Sequence, residues 1–168
     1  MRTTDQFLEL PTTQFDVSPD WIDSYGHMNS AKYIVAFDHH GYNLFEHFGI
    51  GASYTQQQRL GLYMIEIHTA FRKELLAGTP LELRVRFLAS DNKRVHCLME
   101  LFNAREGYLA ATMEQLSINV DLNTRKVTPF THDVEARMKQ VVQAHARHEW
   151  PAGFYPRLTL TRRTGPLP

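Results

Sequence analysis

The sequence is poor in cysteine: Cys97 stands alone in 168 residues, so no internal disulfide is available. That usage fits a reducing cytosol, and the expected location is cytoplasmic. Neither sign of charge is in excess, with 18 Lys and Arg against 18 Asp and Glu. A binder of duplex nucleic acid carries a basic surplus, so no nucleic-acid partner is expected. No apolar run approaches the roughly 20 residues of a membrane-spanning helix, so no membrane partner is expected either. The opening Met1-Arg2-Thr3-Thr4-Asp5 lacks the apolar core of a secretion signal. There is no His-Glu-x-x-His, no Cys-x-x-Cys and no Gly-x-Ser-x-Gly, which leaves metal-dependent and serine-based hydrolysis without their usual residues. What is present is ordinary globular composition, 43% hydrophobic and 21% charged. A chain of this length forms one domain over 1–168 and buries roughly 70% of its unfolded surface without a disulfide or metal staple.

Residues 1–14 are polar and read as an irregular arm. Phe15-Asp16-Val17 alternates and then meets Ser18-Pro19, a short strand. Residues 31–48 carry Ile34, Phe37, Leu44, Phe45 and Phe48 near helical spacing, capped by Asn29 or Ser30 and ended by Gly49 and Gly51. Residues 52–61 are Gln-rich and read as a loop. The apolar period then becomes two. In 62–72, Tyr63, Ile65, Ile67, Thr69 and Phe71 are expected on one face, with Glu66 and His68 on the other. Segments 81–90, 94–103 and 108–121 alternate likewise and are joined by tight turns, giving a meander. Residues 132–148 return to helical period, with Thr131 as cap and Trp150-Pro151 as stop, and 152–168 form an irregular tail. Helix and strands are segregated, which is an α+β pattern with a long helix on one sheet face. Leu98, Phe102, Leu116 and Ile118 lie opposite the Val95 and Met99 set. That second apolar face predicts a homodimer or homotetramer.

The densest polar cluster is Asp20-Trp21-Ile22-Asp23-Ser24-Tyr25-Gly26-His27-Met28-Asn29, directly before the long helix. A helix start offers unpaired N–H groups and the positive end of a dipole. A carbonyl oxygen that gains charge during reaction is stabilised there, and a carboxylate beside it acts as nucleophile or as general base toward water. The same residues also make an ordinary turn and cap, and spacing alone does not separate the two.

The pattern Asp23-x-x-Gly26-His27-x-Asn29-x-x-x-Tyr33 resembles the opening motif of hotdog-fold acyl-CoA thioesterases of the 4-hydroxybenzoyl-CoA thioesterase type. A narrower resemblance runs through Glu66-Ile67-His68, Phe71-Arg72-Lys73-Glu74-Leu75, Asp91-Asn92-Lys93-Arg94-Val95-His96 and the strand Ala110 to Asp121. It is to betainyl-CoA thioesterases of carnitine breakdown, some of which are fused to carnitine dehydrogenase. This chain departs from their Tyr-Leu-Arg-Glu-Val at Phe71 to Leu75. The resemblance implies an antiparallel sheet wrapped around a central helix, an oligomer, an acyl-CoA substrate with water as co-substrate, and no cofactor. It implies Asp23 as the catalytic carboxylate, with His27 and Asn29 beside it and backbone N–H groups at 28–31 holding the oxyanion.

Glu66 and His68 point the same way and are candidates for the acyl pocket. Trp21, Tyr25, Tyr33 and Tyr63 are candidates to face a trimethylammonium, which favours aromatic cages. Lys93 and Arg94, or Arg84 or Arg86, are candidates for the CoA phosphates. His39, His40 and His47 on the long helix lack metal-ligand spacing, and no metal is expected. Cys97 reads as core. The rival functions are a non-catalytic acyl-CoA binding or sensing protein on the same fold, and a hotdog hydratase or dehydratase.

Overall fold

The structure, a computed structural model, describes Phe7 and residues 9–161. Expectations for 1–6, 8 and 162–168 lie outside the described residues. In chain order the elements are β1 (Thr12–Asp16), α1 (Ser30–Leu44), α2 (Ala52–Gln58), β2 (Leu60–Phe71), β3 (Pro80–Ser90), β4 (Arg94–Asn103), β5 (Leu109–Asp121), β6 (Lys126–Val127) and α3 (His132–His145). Short 3-10 turns occupy Pro19–Trp21 and Phe45–Phe48. The six strands form one antiparallel sheet in the order β1-β3-β4-β5-β2, with β6 on β5.

Alternation fixes which residues share a face. Val85 pairs with Met99 and Met99 with Met113, while Leu83 pairs with Leu101 and Leu101 with Ala111. This set meets α1, because a Cβ on Gly41 would strike Met99 and lie 3.7 Å from Leu83. Glycine at 41 is therefore a close-approach residue: it lets the α1 backbone settle onto β4. Phe37, Leu44, Phe45 and Phe48 fill the space between helix and sheet and are nearly solvent-free. This is the hotdog arrangement that the opening motif implied.

The alternate positions face away from α1, and there Arg86, His96, Leu98, Glu100, Glu114 and Leu116 are also buried. The expectation was that a partner subunit covers this face. Part of the cover is instead the chain's own tail. Leu158 is buried, and the backbone N–H groups of Arg157 and Leu158 donate to the Glu114 carboxylate at 2.8–3.0 Å. The His96 Nε2 donates to the same carboxylate at 2.8 Å. An extended segment with no ladder of its own satisfies its N–H groups on a buried acceptor, as buried backbone must.

Four further expectations are corrected. The long helix gives way to a 3-10 turn at Phe45, and Gly49 (φ +68°) ends it in the left-handed region. The Gln-rich stretch forms α2 rather than a loop, because Gln is a fair helix former and Tyr54 anchors it by burial and a 2.9 Å bond to Asn119. In β2 the register shifts between Met64 and Glu66. The bulge breaks strict alternation, so Tyr63 falls on the side away from α1 with Glu66 and His68. α3 ends at His145, and Thr131 stands at its cap position without a side-chain cap bond.

Candidate active site

The segment before α1 folds back on itself. Asp23 N–H donates to the His27 carbonyl, and Gly26 N–H donates to the Asp23 carbonyl, both at 3.0 Å. Gly26 adopts φ +84° with nothing within 4 Å of a hypothetical Cβ. Backbone conformation alone therefore calls for glycine there. Ile22 and Met28 form an isolated bridge, and Asn29 N–H donates to the Trp21 carbonyl at 2.8 Å. The result is a small hairpin that sets Asp23, His27 and Asn29 at the positive end of α1.

The Asp23 carboxylate is half-buried. Its Oδ1 accepts the Tyr25 N–H at 2.9 Å, and its Oδ2 lies 3.5 Å from the Asn29 amide nitrogen. Asn29 also caps α1, its Oδ1 accepting the Ala31 N–H at 2.9 Å. His27 stacks on Tyr25, with centroids 6.0 Å apart, and its Nδ1 lies 3.2 Å from the Met28 carbonyl. Of the four backbone N–H groups at 28–31, three are engaged: Met28 donates to the Leu75 carbonyl, Asn29 to Trp21, and Ala31 to the Asn29 side chain. Among the described residues the Ser30 N–H has no partner. Ser30 lines the cavity beside this hairpin, so one helix-start N–H without a partner borders it rather than the several that the sequence suggested.

Beside this hairpin lies a cavity of about 370 Å³, lined by His27, Met28, Ser30, Tyr33, Phe71, Arg72, Lys73 and Glu74. Its far wall is the end of β2 and the loop to β3. That loop is held down by buried Leu75, which takes the Met28 N–H at 2.8 Å. Tyr33 packs edge-on to Phe71 at 5.1 Å and 74°. Burial pushes the Tyr33 hydroxyl up to about 12, so it stays protonated and neutral in the working range. The Lys73 ammonium lies 3.8 Å from Glu106 and 3.8 Å above the Tyr108 ring, which partly neutralises it.

The predicted site residues thus separate into groups. His27 and Tyr33 line the cavity, while Asp23 and Asn29 stand in the adjoining hairpin outside its lining. Trp21 packs at an edge against Phe15 at 6.4 Å, and Tyr25 is 84% exposed; neither lines the cavity. Glu66 and His68 are exposed on β2, away from α1 and outside this cavity. Arg94 is tied to Asp91, with Nε 2.8 Å from its Oδ2, and the Asp91 Oδ1 takes the N–H groups of Lys93 and Arg94. Burial would raise the Asp91 pKa, but these bonds and the guanidinium more than offset it and hold it low. Lys93 and Arg94 are therefore part of a locked hairpin turn and are not in the cavity lining. Phe71, Arg72, Lys73 and Glu74 were not among the expected site residues. Their signal was the Phe71 to Leu75 run, which had stood out only as a point of resemblance. Cys97 is buried, and burial pushes its thiol up, so it is unsuited to act as a nucleophile. No helix among the described residues is long and apolar enough to cross a membrane.

Comparison with known proteins agrees with this geometry. The family model of the thioesterase-like superfamily matches residues 17–138. A betainyl-CoA thioesterase of Pseudomonas aeruginosa is 30% identical over 144 residues, which span 86% of this chain and 91% of that protein. The L-carnitine dehydrogenase/betainyl-CoA thioesterase of Rhizobium meliloti is 29% identical over 137 residues, 82% of this chain but 27% of that larger protein. A Staphylococcus aureus protein solved in complex with CoA superposes with a TM-score of 0.77 at 22% identity, over 90% of this chain and 96% of that one. With a sheet wrapped on α1, the Asp23 hairpin at the helix start and these relatives, the chain belongs to the thioesterase-like superfamily and is a hotdog-fold thioester hydrolase.

Proposed function

We propose that the protein hydrolyses a small polar acyl-CoA, with betainyl-CoA as the sharpest candidate, and that Asp23 is the general base. The observation that supports this reading is the half-buried Asp23 carboxylate in the hairpin at the start of α1, whose His27, Met28 and Ser30 line the cavity. In this reading it acts on the thioester carbon through a water. Asp23 takes a proton from that water as its oxygen attacks the carbonyl carbon. The carbonyl oxygen becomes an oxyanion beside the Ser30 N–H at the helix's positive end. Collapse breaks the carbon–sulfur bond, the CoA thiolate takes up the proton, and the free acid leaves. Asn29 holds Asp23 and the helix start together, and His27 orients the water from the cavity wall.

Acyl choice follows from the lining. The Tyr33 and Phe71 rings meet at an angle, with Glu74 on the same cavity. Two aromatic faces and one carboxylate suit a trimethylammonium group. Of the four aromatics expected to face the cation, Tyr33 keeps that role, and Phe71 and Glu74 join it in place of Trp21, Tyr25, Tyr63 and Glu66. The relatives named for betainyl-CoA support the same choice.

The working unit of this proposal is a homodimer. β2 is an edge strand bonded to β5 alone, and it exposes Met64, Ile65 (51%) and Ile67. An apolar, unpaired edge of this length is a template for a second strand. A second copy along it closes the open side of the cavity.

The test is thiol release from a panel of betainyl-, acetyl-, butyryl-, 4-hydroxybenzoyl- and palmitoyl-CoA. Preference for betainyl-CoA supports the acyl assignment. Preference for another member removes it and keeps the hydrolase. Folded protein silent on the whole panel points to the acyl-CoA binding alternative. Light scattering of Ile65→Lys, expected to halve the particle mass, tests the dimer.

A further inference from the structure

A second cavity, of about 290 Å³, opens on the sheet face away from α1. Its floor is Phe102 and Leu109, and its far wall is Trp150, Pro151 and Ala152. Those three wall residues lie beyond the 17–138 stretch that the family model matches. This wall is built by the segment that follows α3. Arg72 lines both this cavity and the 370 Å³ one, so the two adjoin at a single guanidinium.

The charges here are not equally available. Arg86 is spent: it binds Glu100 through Nε and Nη2 at 3.2 Å, and its Nη1 donates to the His148 and Glu149 carbonyls at 3.3 and 2.7 Å. Arg84 gives only its Nη2 to Glu82, at 3.3 Å, and lies 4.9 Å above the Phe102 ring. Arg72 gives its Nη2 to the Gly153 carbonyl at 3.2 Å. Each keeps donor N–H groups for a ligand. Glu149 also lines the cavity and is the opposing charge. Trp150 is 47% exposed and backed by Phe154 at 5.2 Å and 29°, a supported flat indole.

We infer that this cavity holds the nucleotide end of the CoA substrate, the adenine on Trp150 and the phosphates on Arg72 and Arg84. Two forked cations beside an apolar floor and a stacking indole match a planar heteroaromatic group that carries phosphates. Arg72 sits where the pantetheine arm passes from one cavity to the other. The inference rests on the thioesterase reading for its substrate, so the test is built to separate the two.

Adenosine 3′,5′-bisphosphate is titrated calorimetrically into the full chain and into Arg84→Ala and Trp150→Ala. Each variant is expected to weaken binding about tenfold, the worth of one charge-assisted bond or one stacked base. In turnover, each raises KM for the CoA thioester by a similar factor and leaves kcat alone. Neither changes hydrolysis of the matching acyl-pantetheine thioester, which has no nucleotide. Unchanged bisphosphate affinity in both variants overturns the inference. So does weakened bisphosphate binding with KM for the CoA ester unmoved, which marks a separate nucleotide site. An inactive wild type that still binds the bisphosphate through Arg84 and Trp150 keeps this site and removes the hydrolase reading instead. Circular dichroism confirms that each variant is folded.

Discussion

The two faces of the sheet are buried by different chemistry. Toward α1 the buried side chains are mostly apolar, among them Leu83, Val85, Met99, Leu101 and Met113, with Gln115 and Ser117 as uncharged polar members. Away from α1 the buried set includes Arg86, Glu100, His96 and Glu114, each paired. One face is held by shape and area, the other by a few bonds that must all be made. The difference teaches how this chain closes its outer face: a tail too short and too irregular to build a second core is fastened to buried charges.

Breaking the outer face at its most buried cation should have the largest effect on stability. Burial raises the Glu100 pKa, and Arg86 is the foremost of the groups that oppose that rise, with Arg84 and His148 beside it. Arg86→Met leaves the carboxylate without its partner and is expected to cost about 4 kcal/mol, read as a fall in denaturation midpoint. The double variant Arg86→Met with Glu100→Leu should recover most of it. If the double variant is as unstable as the single one, the outer face depends on more than charge pairing. On the inner face, Met99→Ala creates a cavity under Gly41 and should cost about 3 kcal/mol. No second substitution at a charged site should rescue it.

A third way to sharpen the contrast is pH. His145, on α3, accepts the Phe87 N–H at 2.9 Å through Nδ1 and packs on the Phe48 and Phe87 rings. Burial, with His148 and Arg86 adding to it, lowers its pKa from 6.5 to about 4. The unfolded chain therefore binds a proton between pH 6.5 and 4 that the folded chain refuses. The contribution is complete above pH 6.5 and is lost as pH falls toward 4, by about 3 kcal/mol in all. Thermal melts across this window should show the loss, and His145→Gln should flatten it.

The smallest expected effect is at the strap. Glu114→Gln removes the charge that gathers the Arg157 and Leu158 N–H groups. It should cost about 1–2 kcal/mol. Hydrogen exchange at 154–160 should rise while β3 and β4 stay protected. Equal loosening of the whole sheet would mean that the two faces are one cooperative unit.

Much of this was legible from residues alone. The α1 capping by Asn29, the β4 span and the meander followed from capping chemistry and period two. The turn at Gly26 and the cap before α1 were legible because each leaves a local mark, whereas the hairpin they close, bridged at Ile22 and Met28, was not. The bulge after Met64 was not, since one extra residue has no signature in an alternating run and reverses the facing of Tyr63. The part played by Phe71 to Glu74 was hidden for another reason. It comes from a chain crossing that brings Leu75 to Met28 across 47 residues of sequence. The tail's role was hidden because its contacts are backbone N–H groups, which every residue has.

The central claim is that a carboxylate in the hairpin before α1 drives thioester hydrolysis. It is tested most directly by comparing kcat for CoA release between wild type and Asp23→Asn on the best substrate of the panel. The account predicts a fall in kcat of about 100-fold or more, with adenosine 3′,5′-bisphosphate binding unchanged. A variant that keeps kcat within a few-fold of wild type would contradict it.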